Sequence, residues 1–244
     1  VALDPGHAVA KSLLGRLHAA GREWHRAKQA FDSVLSSGSA EDRRDSYALL
    51  SVANIFAETS SKKDEEEARR HGKVPKLDRA LDVYRNVLRR EPTNIYAAHG
   101  IGVVLAERGY LHEAKDVFQQ VLAAAGSTDQ VTEATRNLAH IHMVEGRPNN
   151  AVKLYENCLQ RLKRNRATAF TGSGRTGASD EVGIRLHLAH AHYLAGSYRE
   201  ARRVLAHAAH AAPTSAPVWF NLGLVLYRSA KKANEDPRAT TEAL

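Results

Sequence analysis

Arg79-ALDVYRNVLRREPTNIYAAHGIGVVLAERGYLHEAKDVFQQV-Leu122 contains one spacing twice. Ala80, Tyr84 and Val87 stand four and three residues apart, and Ala114, Phe118 and Val121 repeat them 34 residues later. Apolar residues at these steps line one face of an α-helix. Between the two copies, Ile101-Gly102 places a large apolar residue beside a small one on a different helix, and Gly109 follows. The small residue lets a neighbouring helix approach closely, and the later glycine supplies the positive φ that ends a helix. Each copy therefore predicts two antiparallel helices of about 13 residues whose shared apolar face needs the next copy to cover it.

The same frame extends both ways. Ala27–Phe31–Val34 precedes it, and Ala151–Tyr155–Cys158 and Ala201–Leu205–Ala208 follow. The large–small pair recurs as Leu14–Gly15, Leu50–Ser51, Leu138–Ala139, Leu188–Ala189 and Leu222–Gly223, with turn glycines expected at Gly21, Gly146 and Gly196. A 34-residue period with W-x2-L-G, A-x3-F and a terminal proline is the tetratricopeptide-repeat (TPR) pattern. Trp219, Leu222 and Gly223 match its opening, and Pro92 and Pro213 fill the proline slot. The predicted fold is all-α, a right-handed superhelical TPR solenoid of five to six helix-turn-helix units forming one array over 1–244. The units fall at about 8–40, 44–93, 95–128, 132–163, 182–214 and 216–244, the last incomplete, so the chain reads as a piece of a longer solenoid.

Departures from the period mark inserts. Ala27 to Ala80 is 53 residues, and the excess falls in a charged insert at 59–76, whose DEEEARR run is expected to lengthen one helix. Ala114 to Ala151 is 37, with the three extra residues near Gly126. Ala151 to Ala201 is 50; the added Gly/Ser/Thr-rich stretch predicts a flexible basic loop over 164–181.

Composition excludes several classes. The 244 residues are 43% hydrophobic and 25% charged, as in an ordinary globular chain. Apolar runs reach only about five residues, too few to span a bilayer, and no leader pattern follows Val1. The single cysteine, Cys158, rules out an internal disulfide framework and a multi-cysteine zinc site, and suggests a reducing compartment. Lys and Arg exceed Asp and Glu by eight, which makes an anionic partner worth weighing. Half of that excess sits in 60–76 and 163–181, each net +2 and each read as a loop.

Catalysis finds no candidate. Thirteen histidines include His187, His190 and His192 close together. His142 and His192, however, occupy a repeat slot normally filled by a packing aromatic, and no carboxylate or cysteine stands at ligand spacing. Cys158 falls in a core slot. Gly172-Ser-Gly174 lacks the strand-before, helix-after setting of a phosphate loop, and Asp64–Glu67 reads as a solvated run. No catalytic residue, cofactor or metal is expected.

What remains is surface. In TPR units the inner, concave face carries positions 2, 5, 9, 12 and 13 of each first helix. Those positions give Tyr96, His99 and Val103, then Arg136 and His140, then Leu186, His190 and Tyr193, and finally Phe220, Leu224 and Tyr227. These are the candidate partner-binding residues. The last two sets are mostly apolar, as surfaces are when something covers them: a partner segment or further helices of the same protein.

Beyond the TPR frame, Asn94-IYAAHGIG-Val103, Gly109-YLHEAKDVF-Gln119 and Tyr155-ENCL-Gln160 carry residues the repeat does not demand. With Tyr47-ALLSVANIFAET-Ser60 and the polar insert after it, these stretches resemble the large TPR subunit of the RNA polymerase II-associated factor (PAF) transcription elongation complex. The resemblance covers about 47–228; the Gly/Ser insert is longer than in that family, and 1–40 match only the TPR frame. It implies a nuclear, non-catalytic scaffold that binds other subunits of the complex and RNA polymerase II and supports co-transcriptional histone modification. Two rivals stay open: a generic TPR adaptor for a short peptide, and a nucleic-acid contact through basic loops 60–76 and 163–176. The latter ranks below because those loops hold one aromatic residue, Phe170, for base stacking.

Overall fold

A computed structural model describes residues 7–36, 44–126, 129–168 and 176–235. Among them the regular structure is helical throughout, and the chain divides into two compact units, Val1–Ala125 and Gly126–Leu244. The first unit holds α1 (Ala8–Ala20), α2 (Trp24–Leu35), α3 (Ser46–Glu58), α4 (Lys62–Arg70), α5 (Lys76–Arg90), α6 (Ile95–Glu107) and α7 (Leu111–Ala124). The second holds α8 (Asp129–Val144), α9 (Pro148–Thr168), α10 (Thr176–Leu194), α11 (Tyr198–Ala211) and α12 (Ala216–Glu235). Helices pair as the repeat requires: α1 with α2, α3 with α5, α6 with α7, α8 with α9 and α10 with α11, while α12 packs on α11. The fold is an all-α TPR architecture.

The repeat residues form the core. All fifteen members of the five Ala-x3-aromatic/Leu-x2-apolar triplets are at most 2% exposed, from Ala27, Phe31 and Val34 through Ala201, Leu205 and Ala208. The Phe31 and Phe118 rings enter the space left by small residues on the preceding helix. A Cβ added to Gly15 would stand 2.7 Å from the Phe31 ring, and one added to Gly102 would stand 2.7 Å from Phe118. Asp45 and Asn94 start α3 and α6 by accepting backbone N–H groups of Tyr47 (2.9 Å) and Ala97 (3.0 Å), satisfying donors the first helical turn leaves free.

Four expectations need correction. Gly109, Gly146 and Gly196 do take positive φ (84°, 70° and 76°), but Gly21 sits at −79° and Arg22 carries the positive φ of 58° instead. Counted from the small residue of its pair, Arg22 is seven residues on, as are Gly109, Gly146 and Gly196; Gly21 is one short of the slot. Arg22 N–H donates to the Ala19 carbonyl and Glu23 N–H to that of His18, the two bonds that Gly109 and Tyr110 make in their turn.

The insert at 59–76 does not lengthen a helix. It folds into the separate helix α4, capped by Ser61 Oγ accepting from Asp64 N–H at 3.1 Å. Nor is Asp64–Glu67 wholly solvated, since Glu65 is buried, its Oε1 accepting from Ser60 Oγ (2.7 Å) and from Leu77 N–H (3.1 Å) at the start of α5. Lys76 Nζ donates to the Thr59 carbonyl at 2.7 Å, closing the insert at its base. One carboxylate thus ties three segments together, which hydrophobic periodicity does not register.

The loop expected over 164–181 is helical at both margins. α9 continues to Thr168 because Leu159 and Leu162 keep an apolar stripe packed on the Tyr155–Ile184 cluster, and α10 starts at Thr176. Residues 169–175, the centre of that expected loop, lie outside the described residues.

Candidate functional site

The eleven candidate residues fall on one helix in the first unit and three in the second. On α6, Tyr96, His99 and Val103 share a face at i, i+3 and i+7. Tyr96 is exposed (53%), whereas His99 is half-buried, its ring 5.5 Å from Phe118. Val103 lines a cleft of about 460 Å³ with Glu107, Tyr110 and the helix α4.

In the second unit, Arg136 on α8 pairs with Glu133 one turn away. His140 lies one turn further along α8, its ring edge-on to His187 of α10 at 4.6 Å and 5.7 Å from Tyr155. Burial holds His140 down at about 4, with His187 and Arg136 adding to the effect. His187 is lowered for the same leading reason and then by Arg136 and His190. Both imidazoles are therefore neutral at physiological pH, and His140 Nε2 is buried with no hydrogen-bond partner.

Between α10 and α12 runs an apolar groove of about 340 Å³, lined by Leu186, His190, Tyr193 and Leu224 together with His187, Asn221 and Val225. Four predicted residues thus meet in one concavity. Phe220 and Tyr227 lie outside its lining on α12, 72% and 64% exposed. α12 thus leaves a set of large apolar side chains exposed beside the groove, and Asn221 adds a side-chain amide to its lining.

Cys158 is fully buried, its Sγ 3.5 Å from the Thr132 carbonyl, and burial pushes the thiol up to about 12. His142 lies 3.1 Å from Glu145 across one turn, a local pair at a helix end. Among the described residues no three His, Cys, Asp or Glu side chains stand where they would hold a metal ion, and no helix is long and apolar enough to cross a membrane. Sequence reasoning missed the α4 cleft, and the one available signal was the position of the insert between the two helices of a repeat.

A tetratricopeptide-repeat family model matches residues 134–169. The chain is 33% identical over 244 residues to Protein CTR9 homolog of Arabidopsis thaliana, covering 98% of this chain and 20% of that protein. It is 29% identical over 245 residues to RNA polymerase-associated protein CTR9 of Caenorhabditis elegans, covering 99% of this chain and 19% of that one. The chain therefore spans about a fifth of the length of the curated relatives it matches. At 98% and 99% coverage of this chain, both matches reach into residues 1–40, a stretch that the resemblance drawn from sequence motifs left out. Among solved structures, the Cut9–Hcn1 hetero-tetramer of the APC/C superposes with a TM-score of 0.68 at 18% identity, covering 93% of this chain and 38% of that one. A thermophilic TPR protein of Thermus thermophilus superposes with a TM-score of 0.63, also at 18% identity, covering 91% of this chain and all of that one. At such identity these two speak for the fold alone.

Proposed function

We propose that this TPR chain, similar over nearly its whole length to a segment of CTR9 proteins, is a non-catalytic scaffold segment of an RNA polymerase-associated complex. The observation that carries the reading is the 33% identity over 98% of the chain, against 18% for solved TPR structures that share the fold. The proposed role is nuclear: the chain holds other subunits of the PAF elongation complex, and through them polymerase II, by the exposed faces of its first helices. The contact set in the second unit is Leu186, His190, Tyr193, Phe220, Leu224 and Tyr227, with Arg136 and His140 on the neighbouring helix. In the first unit it is Tyr96, His99 and Val103. Apolar area gives such a contact its affinity, and the histidines and tyrosines give it polar edges for orientation.

The test is native purification of the full-length protein followed by mass spectrometry, with and without Phe220→Ser, Leu224→Ser and Tyr227→Ser together. The unsubstituted protein is expected to retain polymerase and the other complex subunits, and the triple variant to lose at least one of them. Recovery of chaperones or a single cytoplasmic client, without polymerase, would instead support a generic TPR peptide adaptor. The α10–α12 groove is the feature that favours that second reading.

A further inference from the structure

The insert helix α4 walls a cleft that the plain repeat would not have. It lies wholly in the first unit, and its lining includes Glu58 at the end of α3, Glu65 on α4, Glu107 at the end of α6, and Tyr110. Glu65 is 7% exposed, and while its Oε1 accepts two hydrogen bonds, its Oε2 is buried and accepts none. Arg108, which also lines the cleft, is already neutralised by Asp78 through Nη2, and its buried Nε has no acceptor. Glu58 and Glu107 form no ion pair among the described residues, and Tyr110 is 54% exposed.

We propose that this cleft receives an arginine side chain from a polypeptide partner. A guanidinium is a planar array of five donors suited to several carboxylate oxygens at once. Its flat face also stacks on an aromatic ring, here that of Tyr110. The buried Glu65 Oε2 is the oxygen that lacks a donor, and a hydroxyl alone would supply it while leaving Glu58 and Glu107 unmatched. Two cations of the chain, Lys62 and Arg69, also line the cleft, but both are exposed on α4, where water solvates long basic side chains. The site therefore takes one added cation, not a run of them. This assignment stands whether or not the chain belongs to a polymerase-associated assembly.

The 244-residue chain is tested against a library of fluorescent nonapeptides in which one position is fixed in turn as Arg, Lys, Gln, Glu or Leu. The expected result is one position where fixed arginine binds roughly fivefold more tightly than glutamine, with lysine between them. In a Glu58→Gln/Glu107→Gln variant the preference falls to within about twofold. Both residues are exposed, so circular dichroism of this variant should match the parent. A Phe220→Ser/Tyr227→Ser variant, altered only in the second unit, should keep the preference. Absence of any arginine preference, equal binding of lysine, or a preference that survives the glutamine variant overturns the assignment. So does a preference lost only in the Phe220/Tyr227 variant.

Discussion

At the scale of single residues, the structure turns small chemical differences into measurable ones. Arg22 occupies a left-handed turn where every comparable repeat position with positive φ is glycine, a conformation costly for a residue with a Cβ. Arg22→Gly should stabilise the chain by about 0.5–1 kcal/mol, after allowing for the looser unfolded state of glycine. A rise of about 2 °C in thermal midpoint is the expected readout. His140 is neutral in the folded state because burial lowers it from 6.5 to about 4. Between those pH values the unfolded chain binds more protons than the native one, so stability falls as pH drops through the window. Urea unfolding at pH 7 and pH 5 should differ by about 1–2 kcal/mol on this account. His140→Leu should shrink the difference without abolishing it, because His187 and His192 are lowered as well. Cys158, buried and held as a thiol, should resist thiol reagents in the native chain and react fully in denaturant; rapid native labelling would contradict its placement in the core.

At the scale of helices, the repeat assigns the same residue two different values depending on its neighbour. Gly102 and Gly223 share one repeat slot. The Phe118 ring fills the space a Cβ would need at Gly102, whereas nothing lies within 4 Å of a Cβ at Gly223. Gly102→Ala should therefore destabilise by about 1–2 kcal/mol, overpacking outweighing improved helix propensity. Gly223→Ala should stabilise by about 0.5–1 kcal/mol, since α12 gains propensity with no clash. Opposite signs in one calorimetric comparison are expected, and equal signs would refute the packing account. Helix α4 shows the converse: its charged sequence has little intrinsic reason to dock, and the Glu65 carboxylate holds it by binding Ser60 and the first turn of α5. Glu65→Ala should speed amide exchange across 62–70 while leaving the TPR pairs protected.

For the molecule as a whole, the useful division is between surface kept for packing and surface kept for something else. Leu205 is fully buried, and Leu205→Ala should cost about 2–5 kcal/mol. Phe220 and Tyr227 carry large rings of the kind that fill the core at Phe118 and Tyr155, yet are mostly exposed. Changing either to Ser should move stability by no more than about 0.5 kcal/mol. Denaturant midpoints for the three variants separate the two kinds of position, and a large loss at Phe220 would mean that it packs within the fold rather than serving a partner. The net +8 of the chain is a weaker guide to function, since on α4 Lys62, Lys63, Arg69 and Arg70 flank four acidic residues that cancel them.

Helix pairs and core are legible in the sequence, because both follow from residues three, four and seven apart recurring about every 34 positions. The sequence also assigned each of the eleven candidate residues to a repeat position, and each lies within a helix, α6, α8, α10 or α12. Its limits are those of a local code. The glycine that precedes Arg22 looked sufficient to end α1, and only the backbone shows which residue turns. The acidic run at 64–67 looked solvated, and only the docking of α4 reveals that one of its four carboxylates is buried between segments twelve residues apart. Meeting Leu186, His190, Tyr193 and Leu224 in one groove likewise required α10 and α12 to be laid side by side. Periodicity specifies which side of a helix is apolar; what that side touches depends on how helices far apart in the chain pack together, and a local pattern does not encode that.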